Sequence, residues 1–296
     1  MRVTGSMKYT QLLTNLRNTQ TGIYDWQNKL ATGQRISKPS DDPVGISYVM
    51  RYDTELNRSD QYLTNAQTGS GILNTMDSIM QQADDILKRA HTLTLQAKNE
   101  TISPDARLAI AAEIKQLREQ MVLIGNSTYN GRYLFNGQKT DQAPYTSANA
   151  ANDETDSGVF QLNVSPLVQV PVSISGEQVF GEAGSDSNVF KIFDDLINHL
   201  ETNDTTALGD DVDKILAASD NFSVQRAEIG ARTNRFTLME SRIESNMINL
   251  QTLRSNVADV DYADAITQLQ LKQNVFQASL ATGAQIMSVS LVDYLK

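Results

Sequence analysis

The sequence predicts a mainly α fold with an inserted β-rich domain, in which long helices from both chain ends form a coiled-coil bundle. Three observations carry this. The prolines stand at 39, 43, 104, 144, 166 and 171, which leaves residues 44–103 and 172–296 without a helix breaker. Within those spans apolar residues recur in alternating steps of three and four, the seam of packed helices. Between them, from about Gly131 to Ser187, short apolar and polar runs alternate instead, with β-branched residues and turn punctuation, as strands do.

The first helix carries the stripe Tyr9, Leu12, Leu16, Thr19, Ile23, Trp26 and Leu30, and Gly33 is placed to end it as a C′ residue. The next stretch, "TGQRISKPSDDPVGISYVM", interrupts the helical pattern. Within Ser40, Asp41, Asp42 and Pro43, Asp42 suits an N-cap, because a cap and a residue preceding proline both sit in the β region. Pro43 then opens the next helix, where its missing N–H is no loss, and both aspartates favour the positive end of the helix dipole. A long seam follows, Ile72, Met76, Ile79, Ala83, Ile86, Ala90, Leu93 and Ala97. Ser103 and Pro104 restart a helix whose stripe is Ile110, Ile114, Leu117, Met121 and Ile124.

In the insert, "GRYLFNGQKTDQAPYT" and "VFQLNVSPLVQVPVSISGEQVFG" read as strands, with Pro166 and Pro171 at strand ends or edges. Ser187 or Asn188 caps the helix "VFKIFDDLINHLE". A further seam runs Phe236, Met239, Ile243, Asn246, Leu250, Leu253 and Val257, where Met247 is placed to take the slot of the polar Asn246. The last helix carries Tyr262, Ile266, Leu269, Gln273, Phe276, Leu280, Gly283 and Met287. Thr19, Gln273 and Gly283 weaken the two terminal stripes. Stripes of this kind need another helix to cover them, so the ends are expected to meet each other, neighbouring copies in an assembly, or both; core helices of a monomeric bundle are the alternative. The organisation expected is terminal helices at 1–42 and 258–296, a helical bundle at 43–130 and 188–257, and an outer β-rich domain at 131–187.

Composition narrows the function. Aromatics are 6% of the chain, with one tryptophan, which disfavours a large enzyme-like core. The absence of cysteine excludes disulfides, thiolate metal sites and thiol nucleophiles. The net charge of −10 is concentrated in residues 139–220, which carry three lysines against fifteen acids. That acidic middle argues against nucleic acid, which needs a basic footprint. No stretch is apolar enough for a membrane span, and the opening residues lack the apolar core and cleavage site of a secretory signal. The two histidines, His91 and His199, have no metal-ligand spacing, and "LGDDVDK" around Asp211 lacks the ligand alternation of a calcium loop. No phosphate loop, dinucleotide fingerprint or nucleophile elbow is present. The expectation is a protein with no catalytic residues, metal or cofactor.

"LATGQRISKPSDDPVGISYVMRYDTEL" resembles the signature of the bacterial flagellin family, a helix, a small-polar loop containing "SDDP" and a long helix. "RAEIGARTNRFTLMESRIES" and "DVDYADAITQLQLKQNVFQASLATGAQIMSVSLVDYL" resemble the family's C-terminal helices. The resemblance implies a structural protein of the flagellum, exported through the flagellar type III apparatus without a cleaved signal and located outside the cell. Within the family, "MRVTGSM", the short middle and "NGRYLFNGQKTDQAPY" are similar to a subunit of the hook–filament junction, with filament flagellin as the alternative. The implied partners are hook-associated protein 1, flagellin, neighbouring copies and, before export, a flagellar chaperone. The implied assembly interface pairs Leu12, Leu16, Ile23, Trp26 and Leu30 with Ile266, Leu269, Phe276, Leu280 and Met287. A cytoplasmic coiled-coil scaffold is the reading that remains if the resemblance is coincidental.

Overall fold

A computed structural model describes the backbone of residues 5–99 and 101–294, and the side chains of residues 7–99 and 101–285. In chain order the elements are α1 (Gly5–Thr32), α2 (Pro43–Ala97), α3 (Pro104–Gly125), β1 (Thr128–Tyr129), β2 (Arg132–Tyr133), β3 (Gln161–Ser165), β4 (Val168–Pro171), α4 (Gly176–Phe180), α5 (Val189–Thr202), α6 (Ala207–Ala258) and α7 (Tyr262–Tyr294). The chain divides into two compact units, one of Met1–Arg58 with Asn246–Lys296, the other of Ser59–Ser245.

The helices begin where side chains meet their first free N–H groups. Ser103 accepts from the Ala106 N–H with Pro104 opening α3, and Asn188, not Ser187, accepts from the N–H groups of Phe190 and Lys191 at α5. In the unit of residues 59–245, α2 buries a broader face than one heptad seam. Leu73, Met80 and Leu87 are fully buried beside Met76, Ala83, Ala90, Leu93 and Ala97, whereas the expected seam members Ile72, Ile79 and Ile86 are half-buried. A strict seam describes a helix with one partner; α2 has more. Arg226 of α6 donates to Asp77 at 2.9 Å, Ser219 of α6 to Asp84 at 2.6 Å, and Arg89 pairs with Glu113 of α3. On α6, Phe236 and Ile243 are buried and Met247 is half-buried while Asn246 is exposed, so Met247 takes the slot.

The insert holds fewer strands than its alternation predicts. Two antiparallel ribbons, β1–β2 and β3–β4, are its sheets, the second with an irregular register between Asn163 and Ser165. Much of the remaining backbone is satisfied by buried side chains instead of ladders. Asn136 donates to the Gln142 carbonyl and accepts from the Asp156 N–H; Thr155 accepts from the Glu177 N–H. The insert's aromatics enter the same core as the helices. Phe180 meets Phe135, Tyr145, Phe190 of α5 and Phe222 of α6, and Tyr145 also meets Phe190, with ring centroids 4.6 to 5.6 Å apart. Residues 131–187 therefore fold as part of the helical unit around them.

Candidate functional site

The unit containing both chain ends is built on two antiparallel helices. Leu12 lies against Gly283, Lys272 against Gly22, and Tyr262 against Gly33, so numbers rise along α1 as they fall along α7. The α1 stripe faces its partner: Leu12, Leu16, Thr19, Ile23, Trp26 and Leu30 are all half-buried. Opposite them α7 presents Ala265, Leu269, Lys272, Phe276, Ser279 and Gly283, again in steps of four and three. This seam and the one expected for α7 share Leu269, Phe276 and Gly283. They differ at the positions between, where the smaller Ala265 and Ser279 turn inward, together with Lys272.

The consequence is that bulky apolar side chains stay outside. Ile266 and Leu280 are 46% and 49% exposed, and Tyr262, Leu271 and Val275 are exposed with them. On α1, Met7, Tyr9, Leu13 and Tyr24 are exposed as well. Met287 lies outside the described residues. Gly283, a flaw in helix propensity, has a packing reason: a Cβ there would stand 2.8 Å from the Leu12 Cδ2. The two helices thus hold each other by a narrow seam of mixed and small residues and leave an apolar surface in water.

The breaks at the base of this pair are tied together. Gln34 and Asp259 form an antiparallel bridge, the Arg35 N–H donates to the Ala258 carbonyl, and the Val260 N–H to that of Gly33. The Arg35 guanidinium donates to the Val257 carbonyl at 2.8 Å, so one arginine satisfies the end of α6. Gly33 ends α1 at φ 70°, as expected of a C′ glycine. Asp42 caps α2, accepting from the Val44 and Gly45 N–H groups at 3.1 and 2.9 Å. Asp41 acts differently from the helix-dipole role expected of it. Its Oδ2 accepts from the N–H groups of Ser37 and Lys38, closing the loop, and those bonds hold its carboxyl below the usual carboxylate range. Ser40 is exposed and Ile36 is buried beneath the loop.

Outside this unit two features carry meaning that spacing did not reveal. Arg107 is buried, donating to the carbonyls of Ala97, the last residue of α2, and Asn99, and to the Asn203 side chain beyond α5. His199 meets the fully buried Asp211 at 2.7 Å; burial raises the Asp211 pKa, and the histidine only partly offsets it. Both are contacts between residues far apart in the chain, or on separate helices, which periodicity does not report. Asn126, in the sequon "NST", donates to the Tyr145 carbonyl and accepts from its N–H, so its amide is already engaged. Among the described residues no group of three or more His, Cys, Asp or Glu is arranged to hold a metal, and no helix is long and apolar enough to cross a membrane.

Residues 3–140 match the bacterial flagellin N-terminal helical region, and residues 212–295 match the bacterial flagellin C-terminal helical region. The chain belongs to the bacterial flagellin family. The two matched regions contain both helices of the terminal pair and the tied breaks at their base. Flagellar hook-associated protein 3 of Salmonella typhimurium is 27% identical over 98% of both chains. Flagellin of Bacillus subtilis is 27% identical over 96% of both. A solved flagellar hook-associated protein from Vibrio parahaemolyticus, 24% identical, shares the fold with a TM-score of 0.67 over 74% of this chain and 100% of that one. Both alignments run across the insert as well as the helical ends.

Proposed function

We propose that this chain is a structural subunit of the bacterial flagellum that acts as hook-associated protein 3, joining hook-associated protein 1 to the flagellin filament. The observation that carries the mechanism is that bulky apolar side chains of α7 stay exposed on both flanks of its seam with α1. Ile266, Leu271, Val275 and Leu280 stay exposed in the single chain, and neighbouring subunits cover them on assembly. Ordering and association of the chain ends are thereby coupled. On this reading Leu12, Leu16, Ile23, Trp26 and Leu30 stiffen the pair along its inner seam with Leu269 and Phe276. Ile266 and Leu280 meet adjacent copies. Residues 1–42 and 258–296 form the inner layer of the assembled tube, 43–130 and 188–257 the bundle around it, and 131–187 the outward domain. The contact is heterologous, as a tubular lattice requires. Export proceeds through the flagellar apparatus with a chaperone, without a cleaved signal, to an extracellular position, and the role is structural, not catalytic.

The alignment with hook-associated protein 3 over 98% of both chains supports the junction. The comparable similarity to a Bacillus flagellin supports a second reading, the filament subunit itself. Deletion of the gene separates them: hooks without filaments and flagellin released into the medium are expected of a junction protein. Intact filaments in the deletion strain overturn the junction reading; loss of filaments with no flagellin released into the medium establishes the second.

A further inference from the structure

The insert holds two Asn–Gly pairs, Asn130–Gly131 and Asn136–Gly137, and the fold treats them in opposite ways. Asn130 and Gly131 are the turn between β1 and β2. Both have positive φ, 49° and 77°, the type I′ arrangement that joins two strands through two residues. Both are exposed, the Asn130 side chain makes no hydrogen bond among the described residues, and a Cβ added at Gly131 would meet nothing within 4 Å. The ladder they close is two residue pairs long, Thr128 with Tyr133 and Tyr129 with Arg132, so opening it disturbs little else. Asn136 is 5% exposed and clamped at both ends of its amide. Its Nδ2 donates to the Gln142 carbonyl at 3.1 Å, and its Oδ1 accepts from the Asp156 N–H at 3.0 Å. Its own carbonyl accepts from the Lys139 N–H at 2.9 Å. Gly137 is buried, and a Cβ there would run into the Asp156 carbonyl.

We propose that Asn130 is a site of spontaneous covalent modification, converting to aspartate and iso-aspartate through Gly131, while the fold holds Asn136 unreactive. The peptide nitrogen of Gly131 gives up its proton and attacks the Asn130 Cγ; the side-chain nitrogen leaves as ammonia and a cyclic imide closes. Glycine favours this step, because no side chain crowds the attacking nitrogen. Water then adds to one of the two imide carbonyls. Cleavage of the new bond from nitrogen to Cγ gives aspartate in the original backbone; cleavage of the original peptide bond gives iso-aspartate, whose main chain runs through Cβ and Cγ. In sum an amide and a water become a carboxylic acid and ammonia, and nothing is oxidised or reduced. The nitrogen reaches Cγ when Asn130 leaves its turn conformation, which a short exposed ribbon permits. At Asn136 the same motion breaks both side-chain hydrogen bonds inside a buried site. The product alters the turn, since iso-aspartate lengthens a connection built for two residues. It thereby displaces Tyr129, whose hydroxyl lies over Gly71 of α2.

Trypsin separates the two sites, cutting after Arg118, Arg132 and Lys139 to give peptides 119–132 and 133–139. The purified full-length chain is incubated folded, at mildly alkaline pH, in water enriched in heavy oxygen, then transferred to ordinary water and digested, so that conversion during digestion carries no label. Mass spectrometry follows the heavy oxygen that hydrolysis leaves on the new carboxylate, and fragmentation places it. Label at Asn130 is expected to appear at least about tenfold faster than at Asn136, because opening of a short ribbon is far more frequent than opening of the core. In the urea-unfolded chain both sites are expected to take label at similar rates, which shows that the fold, not the local sequence, separates them. Equal rates at the two sites in the folded chain, faster label at Asn136, or label that fragmentation places at Asn126 instead of Asn130 overturns the proposal. A difference between the sites that persists unchanged in urea overturns the role given to the fold.

Discussion

Gly69 sits inside α2, where glycine costs about 1 kcal/mol relative to alanine. On helix propensity alone, Gly69→Ala stabilises the protein by that amount. The packing around it reverses the sign. A Cβ at residue 69 would stand 2.5 and 2.6 Å from the Phe236 Cζ and Cε1, and Phe236 of α6 is fully buried, so its ring has no free space to retreat into. Overpacking of this kind costs about 1–3 kcal/mol. After the gain in propensity of about 1 kcal/mol is set against it, Gly69→Ala is expected to destabilise by up to about 2 kcal/mol. Phe236→Leu shortens the ring side and destabilises on its own, but in the Gly69→Ala background it relieves the clash. The double mutant should therefore be more stable than the sum of the two singles by at least about 1 kcal/mol. Urea unfolding followed by far-UV circular dichroism on the four variants measures this. A Gly69→Ala protein that is more stable than wild type, or a cycle with no coupling, refutes the claim that α2 and α6 approach as closely as the glycine permits.

Arg107→Ala, which strips three hydrogen bonds from a buried guanidinium site, is expected to lower stability by about 3–5 kcal/mol, and Arg107→Lys to recover less than half of it because lysine lacks the planar fork; urea midpoints decide. Gly283→Leu drives a side chain into Leu12 and is expected to accelerate amide exchange across residues 12–30 and 265–283 while leaving 73–97 unchanged; in wild type the terminal pair should already exchange faster than that core segment. Asp41 and Asp211 give opposite pH dependence. The Asp41 pKa is depressed by backbone N–H groups, so its contribution is present above the unfolded value of 3.8 and disappears as pH falls through the lower folded value; Asp41→Asn removes that dependence. The Asp211 pKa is raised by burial, so burying its ionised form costs stability as pH rises from 3.8 through the higher folded value; thermal midpoints of Asp211→Asn against wild type should diverge in favour of the variant across that rise.

Much of this architecture was legible because it is written locally. Caps at Ser103, Asn188 and Asp42, the C′ glycine at 33 and the proline at the start of α2 each follow from the backbone needs of one residue, and those needs are visible without a partner. The insert was harder for the same reason inverted. Its alternating pattern correctly marked half-buried residues, but Asn136, Thr155 and Asp156 take over hydrogen bonding that strands would have supplied, through bonds that join positions about twenty residues apart. The pairing of His199 with Asp211 and the three-way grip of Arg107 were invisible on similar grounds. Each joins segments whose meeting depends on how α3, α5 and α6 fold together.

The terminal helices show a different limit, and it bears on function. A helix whose apolar residues satisfy two heptad seams at once cannot declare from its sequence which seam is closed. On α7 both seams run through Leu269, Phe276 and Gly283, so periodicity finds the helix and these shared positions. Only the contact with α1 distinguishes Ala265, Lys272 and Ser279 from Ile266, Gln273 and Leu280. A chain selected to end as a stable monomer would close the bulkier seam, since burying isoleucine and leucine contributes more than burying alanine and serine. Here the smaller residues face inward and the larger ones remain in water. That inversion weakens the free subunit's own pair of ends and leaves the stronger apolar surface for whatever it meets next, which is the energetic arrangement an assembling flagellar subunit needs.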